Sequence, residues 1–206
     1  MPRRAVKKRR TYHHGDLRRA LLAASIALIA EKGADGFTLR EAARLVGVSH
    51  AAAYRHFGDK KAVLEAIAAQ GYRELADRLR GAIARVPRAK AELRLLRIGA
   101  AYVTFALEQE PRFRVMTRRR REEQGSPELE AAIDDAFGVL LGVARDGIES
   151  GALKRAAPID HAMRVYLCAY GYANLILLGR VRVRPENLES YFTSLVAPLL
   201  TALRGD

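Results

Sequence analysis

Apolar residues recur along this chain every three to four positions almost throughout, and no segment alternates apolar and polar as a half-buried strand does. The pattern predicts an all-α fold of about nine helices. A first helix is expected from Asp16, whose carboxylate suits a helix N-terminus, to Lys32, with Leu17, Leu21, Ala24 and Leu28 on one face and Gly33 as the residue that closes it. Thr38 reads as an N-cap with Glu41 three positions on, the spacing of a capping box, so a short helix spans Leu39 to Val46 and turns at Gly47. Ser49 caps a second short helix to about Phe57. Gly58 and Asp59 then open a long fourth helix to about Val86, with Leu64, Ile67, Gly71, Leu75, Leu79 and Ile83 as its buried stripe and Pro87 at its end.

Longer amphipathic helices follow. One from about Ala89 to Gln109 is expected to bury Leu93, Leu96, Ala100, Val103 and Leu107, and Pro111 interrupts it. Phe113, Val115 and Met116 suggest a short further helix, and residues 117–128 read as a polar loop of mixed charge. Ile133, Phe137, Leu140, Ala144 and Ile148 mark the next helix, stopped at Gly151. Two more are expected at about 159–179 and 186–203; the last carries Leu188, Tyr191, Phe192, Leu195, Leu199 and Leu203, with a kink at Pro198. The organisation expected is a basic flexible arm (1–12), a three-helix unit of helix-turn-helix type (13–60), and a longer helical domain (61–206).

Charge sharpens this division. The chain of 206 residues carries a net +13, and residues 1–60 hold thirteen Lys and Arg against five Asp and Glu, so +8 of the excess sits there. A basic end of this kind points to a polyanion, nucleic acid before an anionic membrane surface. The arm itself (Arg3, Arg4, Lys7, Lys8, Arg9, Arg10) fits a DNA contact and a solvated tail equally well. The N-terminus has no apolar core of a signal peptide, and the longest uncharged run, Val165–Gly179, is short of the roughly 18 residues a spanning helix needs. The lone Cys168 excludes an intrachain disulfide and a cysteine zinc site, and it reads as a small core residue. A reducing cytoplasm is the expected compartment.

The segment Ser49-His50-Ala51-Ala52-Ala53-Tyr54-Arg55-His56-Phe57 has the properties of a recognition helix: short, braced by a preceding helix, and small or polar at its N-terminal end. Its alanines let the backbone approach base edges and can touch thymine methyls. His50 is the best polar candidate for a base contact, and Arg40 is placed for a bidentate contact to guanine. Tyr54, His56 and Lys60 fit phosphate contacts, although Tyr54 and His56 could equally be buried and satisfied locally. At these residues the chain resembles the TetR family of bacterial transcriptional regulators, through LLAASIALIAEKGADGFTLREAARLVGVS and then AAAYRHFGDKKAVL. The resemblance implies base or near-base contacts from Arg40, His50, Ala51 and Ala52, and DNA-backbone contacts from Thr38, Ser49, Tyr54, His56 and Lys60. Phe37 and Phe57 would be core.

The same resemblance implies a C-terminal domain that binds a small molecule and dimerises through its last two helices as a four-helix bundle. The uncharged run agrees with that, since a lone domain could not easily cover it. The segment 169–181 is similar to a signature of one large TetR subgroup, a Trp followed by Val-His-Gly; here Tyr166 stands at the Trp, Tyr170 replaces the His, and Gly171 is retained. An effector pocket is expected after the fourth helix, with Tyr102, Phe105, Met116, Phe137, Tyr166 and Tyr170 as candidates. No phosphate loop, nucleophile elbow or catalytic carboxylate pair is present, and His13, His14 and Asp16 read as cap and surface, not as a metal site. The reading is a homodimeric repressor, not an enzyme and without cofactor. It would bind double-stranded DNA at a pseudo-palindromic operator and leave it on binding a small hydrophobic or amphipathic effector. The competing reading is a basic helical scaffold or RNA-binding protein without sequence specificity.

Overall fold

The computed structural model describes residues 14–118 and 125–201; the basic arm, Leu203 and the arginines and glutamates of 119–123 lie outside the described residues. Nine α-helices are present among those described: α1 His14–Gly36, α2 Leu39–Val46, α3 His50–His56, α4 Lys60–Ile83, α5 Ala91–Glu108, α6 Glu110–Arg118, α7 Pro127–Glu149, α8 Pro158–Leu177 and α9 Leu188–Thr201, with a single 3-10 turn, Pro185–Asn187, before α9. The chain divides into two compact units, residues 1–63 and 64–206.

In the first unit α2 packs on α1 and on α3. The apolar faces that meet are Leu21, Leu28 and Ile29 of α1, Leu39, Ala42 and Ala43 of α2, and Ala53 of α3, closed by Phe37 and Phe57, all buried. Helix α1 breaks where the sequence places a glycine: Gly33 has φ 74°, a backbone conformation that side-chain-bearing residues rarely adopt.

The second unit is organised around α5, which packs against α6, α7, α8 and α9. Cover on several sides explains why the buried set of α5 differs from the expected stripe. Ala91, Leu95, Ile98, Gly99, Ala100, Tyr102, Val103, Phe105 and Ala106 are buried, whereas Leu93 is 37% exposed and Leu96 and Leu107 are only half-buried. Close helix approach relies on small residues. A Cβ on Gly99 would stand 2.6 Å from the Phe192 ring of α9, and one on Gly71 would stand 2.5 Å from the Met116 sulfur of α6. Ion pairs lace the outside of α4 to its neighbours: Arg73 with Glu128, Arg78 with Glu108, Arg80 with Asp135, and Glu74 with Arg112. The expected polar loop 117–128 is shorter than the sequence suggested, since α6 continues through Arg118 and α7 begins at Pro127, capped by the Ser126 side chain.

Helix α9 has two apolar faces. Leu188, Phe192, Val196 and Leu200 point into the unit, and Tyr191, Leu195 and Leu199 point out of it, 46–57% exposed. The sequence stripe mixed members of both, because the buried and the exposed sets sit on adjoining positions (191 and 192, 195 and 196, 199 and 200) and are equally apolar. On α8 the same division holds: Ala162, Val165, Ala169, Tyr172 and Ala173 are buried, while Ile159, Leu167 and Leu175 are exposed, as is Leu178 just beyond the helix. Cys168 is half-buried, not a core residue, and the partial burial pushes its thiol pKa up.

Candidate functional site

The first unit holds α2 and α3 in position through local hydrogen bonds. Thr38 caps α2 reciprocally: its hydroxyl accepts from the Glu41 amide at 3.2 Å, and the Glu41 carboxylate accepts from the Thr38 amide at 3.0 Å and from its hydroxyl at 2.9 Å. The same carboxylate accepts from Lys32 Nζ at 2.7 Å. These bonds, the Lys32 ammonium first, hold the Glu41 pKa at about 2 and raise that of Lys32. The negative charge on α2 is thereby neutralised locally, which leaves Arg40 and Arg44 as its exposed cations. Gly47 (φ 76°, ψ 29°) makes the sharp turn in the left-handed region. Ser49 then caps α3, accepting from the Ala52 amide at 3.2 Å.

Helix α3 turns one residue, Ala53, fully inward. His50, Ala51, Tyr54 and Arg55 are exposed, and Ala52 and His56 are half-buried. His50 and Tyr54, one turn apart, bring their rings to 5.4 Å. The outward face therefore has small residues near the start, a histidine–tyrosine pair, and a cation at its far end. Lys60, the first residue of α4, does not point freely into solvent. Its ammonium donates to the Asp35 carbonyl oxygen at 2.7 Å and lies 4.9 Å from the centre of the Phe37 ring. Thr38 and Ser49 are exposed at their cap positions.

The second unit contains a cavity of about 60 Å³ among α4, α5, α6, α7 and α8. Four of the expected residues, Tyr102, Met116, Phe137 and Tyr166, line it, together with Tyr72, Thr117 and an aliphatic wall that includes Leu75, Ile98 and Ile133. Phe105 and Tyr170 are not part of that lining: Phe105 is fully buried beneath the Arg78 guanidinium, and the half-buried Tyr170 stacks on Tyr166 with ring centroids 5.8 Å apart. Burial raises the pKa of Tyr102 far above its ordinary value and that of Tyr166 as well. Both are neutral phenols at any physiological pH.

The description "Tetracyclin repressor-like, C-terminal domain" matches residues 95–199, just over half of the chain, and "Bacterial regulatory proteins, tetR family" matches residues 21–67. The chain belongs to the tetR family of bacterial regulatory proteins. It is a DNA-binding transcription regulator and not an enzyme. No curated protein is significantly similar in sequence. Among solved structures, the regulator is similar to a protein of unknown function from Rhodococcus sp. RHA1, with 27% identity over 95% of this chain and 100% of that one, at a TM-score of 0.83. The fold is shared with a bacterial regulatory protein in the tetR family from Rhodococcus RHA1 (20% identity, 92% and 98% coverage, TM-score 0.69). It is shared also with the TetR family regulator PfmR from Thermus thermophilus (23% identity, 88% and 97% coverage, TM-score 0.64). Among the described residues, no helix of the regulator is long and apolar enough to cross a membrane, and no group of His, Cys, Asp and Glu could hold a metal; the side chains of His13, His14 and Asp16 lie outside those residues.

Two exposed cations of the DNA-binding unit, Arg44 and Arg55, were not among the sequence candidates. Each follows one by four positions, Arg44 after Arg40 and Arg55 after Ala51, so helical spacing alone carried the signal.

Proposed function

We propose that the regulator is a cytoplasmic homodimeric repressor. Its α3 helices enter successive major grooves of a pseudo-palindromic operator, and a small hydrophobic or amphipathic effector releases it. The observation that carries this reading is the division of α3: Ala53 anchors it inward, and the rest of the helix offers small and polar groups to whatever lies outside. On this reading Arg40 and His50 contact base edges, Ala51 and Ala52 lie against thymine methyls, and Thr38, Ser49, Tyr54, His56 and Lys60 hold the phosphate backbone. Ser49, whose hydroxyl accepts from the Ala52 amide, would donate its proton to a phosphate; Thr38 would exchange its bond to the Glu41 carboxylate for one, and Lys60 would exchange the Asp35 carbonyl.

The dimer reading rests on the outer faces of α8 and α9. Leu167, Leu175, Leu178, Tyr191, Leu195 and Leu199 are large apolar residues left in water by a single protomer, and a two-fold partner presenting the same faces would cover them. Helix α4 begins in the first unit and supplies Leu75 and Leu79 to the cavity wall of the second, which makes it the candidate carrier of the effector's influence.

Selection of bound duplexes from a random pool by the full-length protein tests the reading. An inverted repeat should be enriched. On the recovered duplex, Arg40→Ala should relax discrimination at one base position by about 1–3 kcal/mol, whereas Lys60→Ala should weaken all duplexes alike. Absence of any duplex preference would instead indicate a nonspecific basic or RNA-binding protein.

A further inference from the structure

Resting on the effector reading above, the cavity geometry points to the class of compound: we propose that the effector is an uncharged single-ring aromatic molecule carrying one hydrogen-bond-accepting oxygen. The walls are built for a ring. Tyr102 and Tyr166 meet edge-on, with centroids 5.8 Å apart and planes at 82°, and Phe137 meets Tyr166 at 6.2 Å and 88°. Rings at these separations prefer edge-to-face contact, so a guest ring among Tyr102, Phe137 and Tyr166 continues an arrangement already present. The wall can also yield. Met116, an unbranched thioether, lines the cavity and adapts its shape at little cost. Size limits the guest: at about 60 Å³ the cavity is smaller than the roughly 150 Å³ that takes up a benzene, so a single ring enters only as Met116 moves aside, and a long chain would need far more room.

The polar tips leave at least one proton for a guest. The Tyr72 hydroxyl donates to the Met116 carbonyl at 3.2 Å, and the Thr117 hydroxyl donates to the Phe113 carbonyl at 2.9 Å. Tyr102 and Tyr166 also line the cavity, and a bond between their two hydroxyls would use only one of the two protons. A proton is therefore left to meet a guest, with Tyr166, the less buried of the two, as its nearest source, and it needs an acceptor. Among the described residues, none that lines the cavity carries a charge, and an ionised group buried there would lose its hydration without a counter-ion.

Calorimetric titration of the full-length protein with acetophenone, ethylbenzene, dodecanol and benzoate tests the class. Acetophenone should bind, with benzoate at least about 100-fold weaker because its charge finds no partner. Tyr166→Phe, which removes only the hydroxyl, should weaken acetophenone about three- to tenfold and leave ethylbenzene unchanged. Benzoate binding as tightly as acetophenone would overturn the proposal, as would dodecanol binding more tightly, or Tyr166→Phe weakening both aromatic compounds equally. The same compounds added to the protein–DNA complex separate the two readings. Acetophenone that binds without releasing DNA defeats the effector role. Benzoate that releases DNA where acetophenone does not leaves the effector role standing and defeats the neutral aromatic class.

Discussion

Glu41 collects three donors at the start of α2: the Thr38 amide, the Thr38 hydroxyl and Lys32 Nζ. All three favour the carboxylate, which lowers its pKa from 4.5 to about 2. A group whose pKa is depressed on folding contributes stability above its unfolded pKa and loses it as pH falls through the folded one. The stability difference between the wild type and Glu41→Gln should therefore be present at pH 7 and shrink between about pH 4.5 and pH 2. Urea unfolding across that range measures it, and a difference that stays constant with pH would remove the carboxylate's charge from the account. The capping residues were legible from sequence because the box is a contact between positions three apart, and nothing distant decides it. Lys60 was not legible in the same way. Its partners Asp35 and Phe37 precede it by more than twenty positions, so the spacing that marked it as a phosphate contact could not show the carbonyl it holds.

The helices follow the same logic. Boundaries of α2 and α3 were readable almost to the residue, since Thr38, Gly47 and Ser49 set them by cap and turn chemistry. Which face each long helix buries was less readable. In α5, nearly every residue from Ile98 to Ala106 meets a neighbouring helix, so an apolar stripe does not single out one side. In α9 both sides are apolar, and only the packing on α5 separates Phe192 and Val196 from Leu195 and Leu199. Gly99 carries that packing. Its hydrogen leaves room for the Phe192 ring, and a methyl would stand 2.6 Å from two ring carbons and 3.3 Å from Val165. Gly99→Ala should therefore destabilise the fold by about 1–3 kcal/mol through overpacking, despite alanine's better helix propensity. Denaturant unfolding decides this, and a stabilised variant would mean that α9 moves aside without cost.

For the whole molecule, the two units divide the work. The first carries the outward face of α3 and most of the net positive charge, and the second carries the cavity and the apolar outer faces of α8 and α9. The cavity itself was only partly visible in the sequence. Tyr102, Met116, Phe137 and Tyr166 were chosen as bulky side chains near the expected pocket, yet Phe105 and Tyr170 had the same character and face elsewhere, because helix rotation and not composition decides who lines a void. On the proposed reading the regulator works as a pair of reading helices, with each copy supplying one half of the contact. Hydroxyl-radical footprinting of the full-length protein on the duplex recovered by selection measures that arrangement directly. The account predicts two equivalent protected segments related by two-fold symmetry, with centres separated by one helical turn, about 34–36 Å, or a multiple of it. A single protected segment, or uniform protection along the duplex, would contradict it.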